Sequence, residues 1–279
     1  MDNSVFLIVL VAAALHAGWN AMVKVGLDRR STMLLIALWQ GAIALPLAPF
    51  APWPEGVVWG WLAASMVLHV GYNVFLAEAC AHGDLSQVYP LARGSAPLIV
   101  MAVSAAFGAR FTGGELLAVA AISIGIFAMT LKGSSAGRMR GRAVFWALGT
   151  AGFTAGYTLV DGLGARAAGS AFGFVPWMAL GEALGMAGFA VAARGPQALR
   201  VLRPVWRGGL LAGAMSFTSY GIAIWGFTVA PIALVAALRE TSILFAMLIG
   251  VVLLGERANR WRWGAAAAIV TGVALMRLG

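Results

Sequence analysis

Runs of apolar residues about twenty positions long alternate with short polar breaks along the whole chain. A helix needs about 20 mostly apolar residues to cross about 30 Å of hydrocarbon. That ruler predicts ten segments, at 4–24, 32–50, 57–80, 87–109, 114–131, 142–164, 171–193, 205–228, 232–254 and 261–277. Pro, Gly and charge gather in the breaks, as in Ala51-Pro52-Trp53-Pro54-Glu55 and Arg194-Gly195-Pro196. The longest polar break, 132–141, falls near the middle and predicts a linker between two five-helix halves, 1–131 and 142–279. The predicted fold class is an all-α membrane protein.

The halves resemble one another. Arg93-Gly94-Ser95-Ala96-Pro97 leads to Phe107-Gly108 and Gly125-Ile126, and Arg239-Glu240-Thr241-Ser242-Ile243 leads to Leu254-Gly255 and Gly272-Val273. The offset is 146 residues at the arginines and 147 at the glycines. Ala17-Gly18-Trp19-Asn20 matches Ala155-Gly156-Tyr157-Thr158 in the same order. A unit with an odd number of spans enters its second copy from the other face of the membrane, so the two repeats are expected to be inverted. Inverted repeats recur in secondary transporters, whose substrates bind near the midplane between the halves.

Composition agrees with a bilayer as solvent. Of 279 residues 61% are hydrophobic and 10% charged, against about 25% charged in soluble domains, and no water-soluble core of this size hides so much apolar surface. The net charge of +9 would suggest nucleic acid in a soluble protein. Here the cations sit between apolar runs, so lipid headgroups are the expected partner and nucleic acid is not. Arg110, Arg166 and Arg277 fall on one predicted side and Arg93 and Arg239 inside spans; all other Lys and Arg lie in loops on the opposite side. The positive-inside rule makes that opposite side cytoplasmic and both termini non-cytoplasmic. Lys24 is expected as an interfacial anchor. The N-terminus lacks the basic start of a cleaved signal peptide, so the first run is expected to be retained. Cys80 is the single cysteine, expected as a small filler, with no disulfide framework and no Cys-based metal site; a site built from His16, His69 and His82 has no spacing to support it.

The segment Val88-Tyr89-Pro90-Leu91-Ala92-Arg93-Gly94-Ser95-Ala96-Pro97 resembles the fourth helix of the EamA branch of the drug/metabolite transporter superfamily. Leu253-Leu254-Gly255-Glu256-Arg257, Trp263-Gly264 and Thr271-Gly272-Val273 are similar to that family's ninth and tenth helices. Gly108-Ala109-Arg110 departs from the Gly-Glu usual at the matching place in the first half. The resemblance implies a carrier without ATP hydrolysis or cofactor, whose cavity is lined chiefly by helices 1, 3, 4, 6, 8 and 9. Leu15-His16-Ala17-Gly18-Trp19-Asn20, with the Tyr89–Pro97 stretch, resembles a branch associated with phosphonate utilisation.

Ionisable groups within spans cost roughly 2.5–3.5 kcal/mol each on insertion scales, so each needs a reason. Arg93 and Arg239 occupy matching repeat positions, and as an inverted pair they are candidates to hold an anionic group. The alternatives are pairing with a carboxylate, capping backbone freed by Pro90, Pro97 or Pro231, or snorkelling to the interface. His16 and Asn20 share a face of the first segment with Trp19 beside them; His69, Tyr72 and Asn73 share a face of the third. Each set either contacts substrate or packs helices. Tyr89, Tyr157 and Tyr220 complete the substrate candidates. Glu240, Asp161, His69 and Glu182 are the coupling candidates, with Asp161 equally placed for a simple interfacial position. Glu240 points away from Arg239 by about 100°. Glu182 lies in the seventh segment, which the resemblance puts at the periphery. Glu78 is expected in a structural or interfacial role, His82 in a loop, and Gly181, Gly185 and Gly188 on a close-packing face.

No P-loop, H-E-x-x-H helix or G-x-S-x-G elbow is found. The leading expectation is therefore a secondary transporter of a small anionic or zwitterionic metabolite, an organic phosphonate, organic acid or amino acid, in the inner membrane, with a proton as possible coupling ion. A proton-coupled exporter of cationic or aromatic compounds is the alternative. A membrane-embedded lipid-modifying enzyme and a signalling scaffold are the readings from other classes.

Overall fold

The computed structural model describes residues 1–22, 29–130, 141–252 and 260–278. Among them every regular element is helical: α1 (Asn3–Met22), α2 (Arg29–Ala44), α3 (Val57–His82), α4 (Leu85–Ala106), α5 (Gly113–Thr130), α6 (Gly141–Ala167), α7 (Ala171–Arg194), the single turn α8 (Gln197–Arg200), α9 (Trp206–Val229), α10 (Ile232–Arg239), α11 (Ser242–Val252) and α12 (Arg260–Leu278). Among the described residues seven stretches are long and apolar enough to cross a membrane: Asn3–Met22, Val57–His82, Gln87–Ala106, Gly141–Ala167, Ala171–Arg194, Gln197–Val229 and Ile232–Val252. The chain is a multi-pass membrane protein. Lys24, the 132–140 part of the linker and Leu253-Leu254-Gly255-Glu256-Arg257 lie outside the described residues.

Backbone polar groups find no partner in hydrocarbon, so only self-satisfied helices suit these apolar runs. Where the helices end, the chain supplies other donors and acceptors. Ser170 caps α7 by accepting from the Gly173 amide at 3.0 Å. Arg166 donates from Nε to the carbonyl of Phe227 at 2.8 Å and from its terminal nitrogen to that of Ala230 at 2.9 Å, closing the end of α9.

Two expectations need correction. The run 232–254 was expected as one helix, but it breaks at Glu240–Thr241, between α10 and α11. Around the break the amides of Thr241 and Ile243 bond carbonyls three residues back, Leu238 and Glu240, instead of four. And His82, expected in a loop, is the last residue of α3, its Nδ1 meeting the Glu78 carbonyl at 2.9 Å.

The helices pack in pairs: α3 along α6, α1 along α9, α2 along α7 and α5 along α12. Between membrane helices, close approach depends on small residues. At the α5–α12 crossing a Cβ built on Gly125 would lie 2.6 Å from Ile269 Cγ1 and 2.9 Å from the Ala265 carbonyl oxygen. One built on Gly272 would lie 2.7 Å from both Ile122 Cγ1 and the Ala118 carbonyl oxygen. Each helix thus presses backbone against the other's glycine. The small face expected on α7 is narrower than foreseen: Gly185 meets Met66, while Gly181 and Gly188 have open space beside them.

Candidate functional site

A cavity of about 600 Å³ lies between the helices. His16 and Trp19 reach it from α1, His69, Tyr72 and Asn73 from α3, Arg93 from α4, Tyr157 from α6, Ser216 and Tyr220 from α9, and Arg239 from the last turn of α10. The i, i+3, i+4 spacing on α3 explains why three of its polar residues arrive together. Asn20 and Tyr89 are not among the lining residues. Asn20 donates from Nδ2 to the His16 carbonyl, one turn back on its own helix, at 2.9 Å. Tyr89 lies beneath the Arg93 guanidinium, 5.6 Å from ring centroid to Cζ.

The wall also includes three residues of α2 that the reading of the chain passed over, and the coupling candidate Glu182. Met33, Ile36 and Gln40 of α2 and Glu182 of α7 all line the cavity. The seventh segment is therefore not peripheral at this depth. Two helices beyond the implied set contribute because α2 packs against both α7 and α9, bringing their faces to the centre. A second space of about 590 Å³ shares Met33 and Asn73 with the first and runs between α2, α3 and α7 to Arg30 and Arg194.

Both arginines are buried, which removes the snorkelling alternative. Their surroundings differ. Arg93 is paired: its Nε lies 2.7 Å from Glu240 Oε2, and a terminal nitrogen donates to Ser242 Oγ at 3.1 Å. The Nε–H is poorly directed at that carboxylate oxygen, so charge rather than an aligned hydrogen bond holds the pair. Arg239 has its guanidinium carbon 4.8 Å from the centroid of the Tyr220 ring, a cation–π contact. Among the described residues no carboxylate lies within ion-pairing distance of Arg239.

A second cluster sits beside the cavity. The Tyr220 hydroxyl donates to Asp161 Oδ2 at 2.5 Å, and His69 Nε2 meets the same oxygen at 3.0 Å. His69 Nδ1 faces Glu182 Oε1 at 3.7 Å. The imidazole stacks on Tyr157 with centroids 4.2 Å apart and 19° between planes. Asp161 is completely buried (0% exposed), so it is not interfacial, and its Oδ1 has no hydrogen-bond partner. The two carboxylates approach opposite nitrogens of one ring, so the three side chains do not converge on a common point as metal ligands would.

Aromatic side chains cluster toward one end of the bundle. Trp53 meets Trp59 and Trp177 edge-on at 5.8 and 4.8 Å, and Trp177 Nε1 donates to the Pro52 carbonyl at 3.0 Å. At the other end Arg30 and Glu78 form an ion pair between α2 and α3, a structural role for Glu78 as expected.

Residues 141–278 match the family model described as the EamA-like transporter family. This second half of the chain belongs to that family. A crystal structure titled only as that of a protein superposes on the whole molecule with a TM-score of 0.75 at 17% identity, covering 100% of this chain and 98% of the other. At that identity the likeness speaks for the fold alone, and it extends the shared architecture to residues before 141. No curated protein matches. The EamA-like family is a family of transporters, so the buried polar centre belongs to a membrane protein of transporter lineage.

Proposed function

We propose that this EamA-like protein is a secondary active transporter of a small anionic or zwitterionic metabolite, working by alternating access between two inverted five-helix repeats. The repeats are residues 1–131 and 142–279, joined by the cytoplasmic linker 132–141, with both termini outside the cytoplasm and the protein in the inner membrane.

The packing supports the repeat. Exchanging the first five spans for the second five turns α3–α6 packing into that of α9 with α1, and both pairs are present. The same exchange turns α4–α6 into α1 against α10 and α11, also present. The α5–α12 crossing maps onto itself: Gly125, Ile122 and Ala118 correspond to Gly272, Ile269 and Ala265, each 147 residues on. Gly18 abuts Met215, and its counterpart Gly156, 138 residues on, abuts Leu68, which lies 147 residues before Met215.

The observation that carries the substrate class is the Arg239 guanidinium, buried, facing the cavity and, among the described residues, without a carboxylate partner. A desolvated guanidinium offers a fork of donors suited to carboxylate or phosphonate oxygens. Organic phosphonates, organic acids and amino acids are the candidate substrates. His16, Trp19, Tyr72, Asn73, Tyr157 and Tyr220 form the surrounding wall. Glu182 on the same wall gives a zwitterion a place for its ammonium group.

The test is uptake of labelled methylphosphonate, malate and glycine into vesicles containing the wild type, Arg239→Ala, and the charge-neutral double variant Arg93→Ala/Glu240→Gln. Loss of the guanidinium is expected to weaken anion affinity about tenfold or more, as a hydrogen bond to a charged group contributes about 1.5–3 kcal/mol. Unchanged kinetics in Arg239→Ala would remove the site assignment. A labelling reagent applied from each side to a cysteine introduced at 132–140, in a Cys80→Ser background, tests the orientation.

A second reading has its own support. The cavity's aromatic wall and the three buried carboxylates Asp161, Glu182 and Glu240 also suit export of cationic or aromatic compounds against protons. Competition by cations but not by anions would favour it.

A further inference from the structure

We propose that His69 and Glu182 share one exchangeable proton, bound and released in step with an anion at Arg239, so that the protein moves anion and proton in the same direction. The proposal rests on the transporter reading above and names its coupling site.

The hydrogen atoms can be accounted for. Asp161 Oδ2 receives the Tyr220 hydroxyl at 2.5 Å and His69 Nε2 at 3.0 Å. A carboxylate oxygen accepts more than one hydrogen, so an ionised Asp161 fixes the imidazole hydrogen on Nε2. Nδ1 is left facing Glu182 Oε1 at 3.7 Å. With no proton there, a nitrogen lone pair would confront a carboxylate in a buried site. With one proton, on either side, the contact becomes attractive.

The two partners differ in freedom. His69 is clamped by Asp161, by the Tyr157 stack and by the edge of Tyr220, 5.6 Å between centroids. Among the described residues no hydrogen bond holds the Glu182 carboxylate, which lines the cavity. A separation of 3.7 Å is beyond a direct hydrogen bond, so side-chain rotation of Glu182 brings its carboxyl either to the ring or to the cavity. A proton entering with substrate from one side is carried to His69 by Glu182, and it leaves by the same carboxyl when the cavity faces the other side. No bond other than O–H and N–H is made or broken.

The groups facing His69 are Asp161 and Tyr157 from α6, Glu182 from α7, Tyr220 from α9 and, electrostatically, Arg239 from α10. Glu240, the remaining carboxylate, is held by Arg93. Arg239 is thus the cation that opposes a positive charge on His69, and an anion bound to it screens that opposition. Each ligand thereby favours the other, a reciprocal coupling.

The chain has three histidines, so nitrogen-15-histidine solid-state NMR of the full chain in bilayers assigns His69 by replacing His16 and His82 with Gln. His69 is expected to change protonation state between about pH 5 and about pH 8, and Glu182→Gln to displace that transition by about one pH unit or more. A single His69 state throughout, or a transition that ignores Glu182→Gln, overturns the shared proton. A pH-indicator dye should report proton uptake when methylphosphonate is added to weakly buffered protein; proton release overturns the direction of coupling. If the protein transports methylphosphonate, malate or glycine while none of the three perturbs the His69 transition, coupling is overturned. Protein that transports none of them, with His69 titrating as described, overturns the transporter reading instead and leaves the shared proton standing.

Discussion

Tyr220 turns its ring face to Arg239 and its hydroxyl to Asp161: the guanidinium carbon lies 4.8 Å from the ring centroid, and the hydroxyl donates to Oδ2 at 2.5 Å. One side chain therefore touches both the buried Arg239 and the buried Asp161. Its two contacts are chemically separable. Tyr220→Phe keeps the ring beneath Arg239 and removes only the donor. The variant is expected to lose about 1.5–3 kcal/mol of stability, the range for a hydrogen bond to a charged group. Thermal unfolding in detergent checks this, and an unchanged midpoint would mean that Asp161 does not depend on the hydroxyl.

Arg93 and Glu240 are both buried, with side chains 7% exposed. Removing one partner of a buried pair leaves an uncompensated charge, at a cost of about 3–5 kcal/mol. Arg93→Ala alone should be strongly destabilised, and Arg93→Ala/Glu240→Gln should recover much of that loss. A double-mutant cycle on unfolding midpoints measures the coupling; strictly additive effects would mean that the pair is not energetically linked.

Arg30 and Glu78 present the opposite case. Their side chains are 46% and 27% exposed, and exposed pairs contribute about 0–1 kcal/mol. Arg30→Gln is expected to shift stability by less than about 1 kcal/mol, and salt to reduce even that. The same measurement in low and high salt decides it.

How much of this was legible in the chain differs from element to element. Apolar run length located the seven stretches that, among the described residues, are long and apolar enough to cross a membrane, since the bilayer fixes that length and little else competes with it. The face shared by His69, Tyr72 and Asn73 followed from helical geometry. Asn20 is not among the lining residues: spacing gives a residue's azimuth relative to its neighbours, not which way the helix turns, and its amide donates to a carbonyl on its own helix. Met33, Ile36 and Gln40 share a face of α2, but two of the three are indistinguishable from packing residues; the buried amide of Gln40 was the available signal. Asp161 and Glu182 gained their meaning only from a histidine on a third helix. The break at Glu240–Thr241 left no Pro or Gly at the site to announce it.

The glycines of the α5–α12 crossing admit no added methyl. Gly272→Ala would push a Cβ to 2.7 Å from the Ala118 carbonyl oxygen, and backbone yields less readily than a side-chain tip. Overpacking of this kind typically costs about 1–3 kcal/mol. Gly125→Ala is expected to show a matching loss because its surroundings are the mirror of the first. Gly181→Ala, with nothing within 4 Å of the added atom, should be neutral. Unfolding midpoints of the three variants test the contrast.

Two backbones that meet at glycines, each with an isoleucine of the other helix wedged beside it, have little room to slide. Under the alternating access proposed above, α5 and α12 stay joined as the axle between the two halves. On that proposal the substrate's way in runs along the edges where α2, α3 and α7 meet, away from that spine.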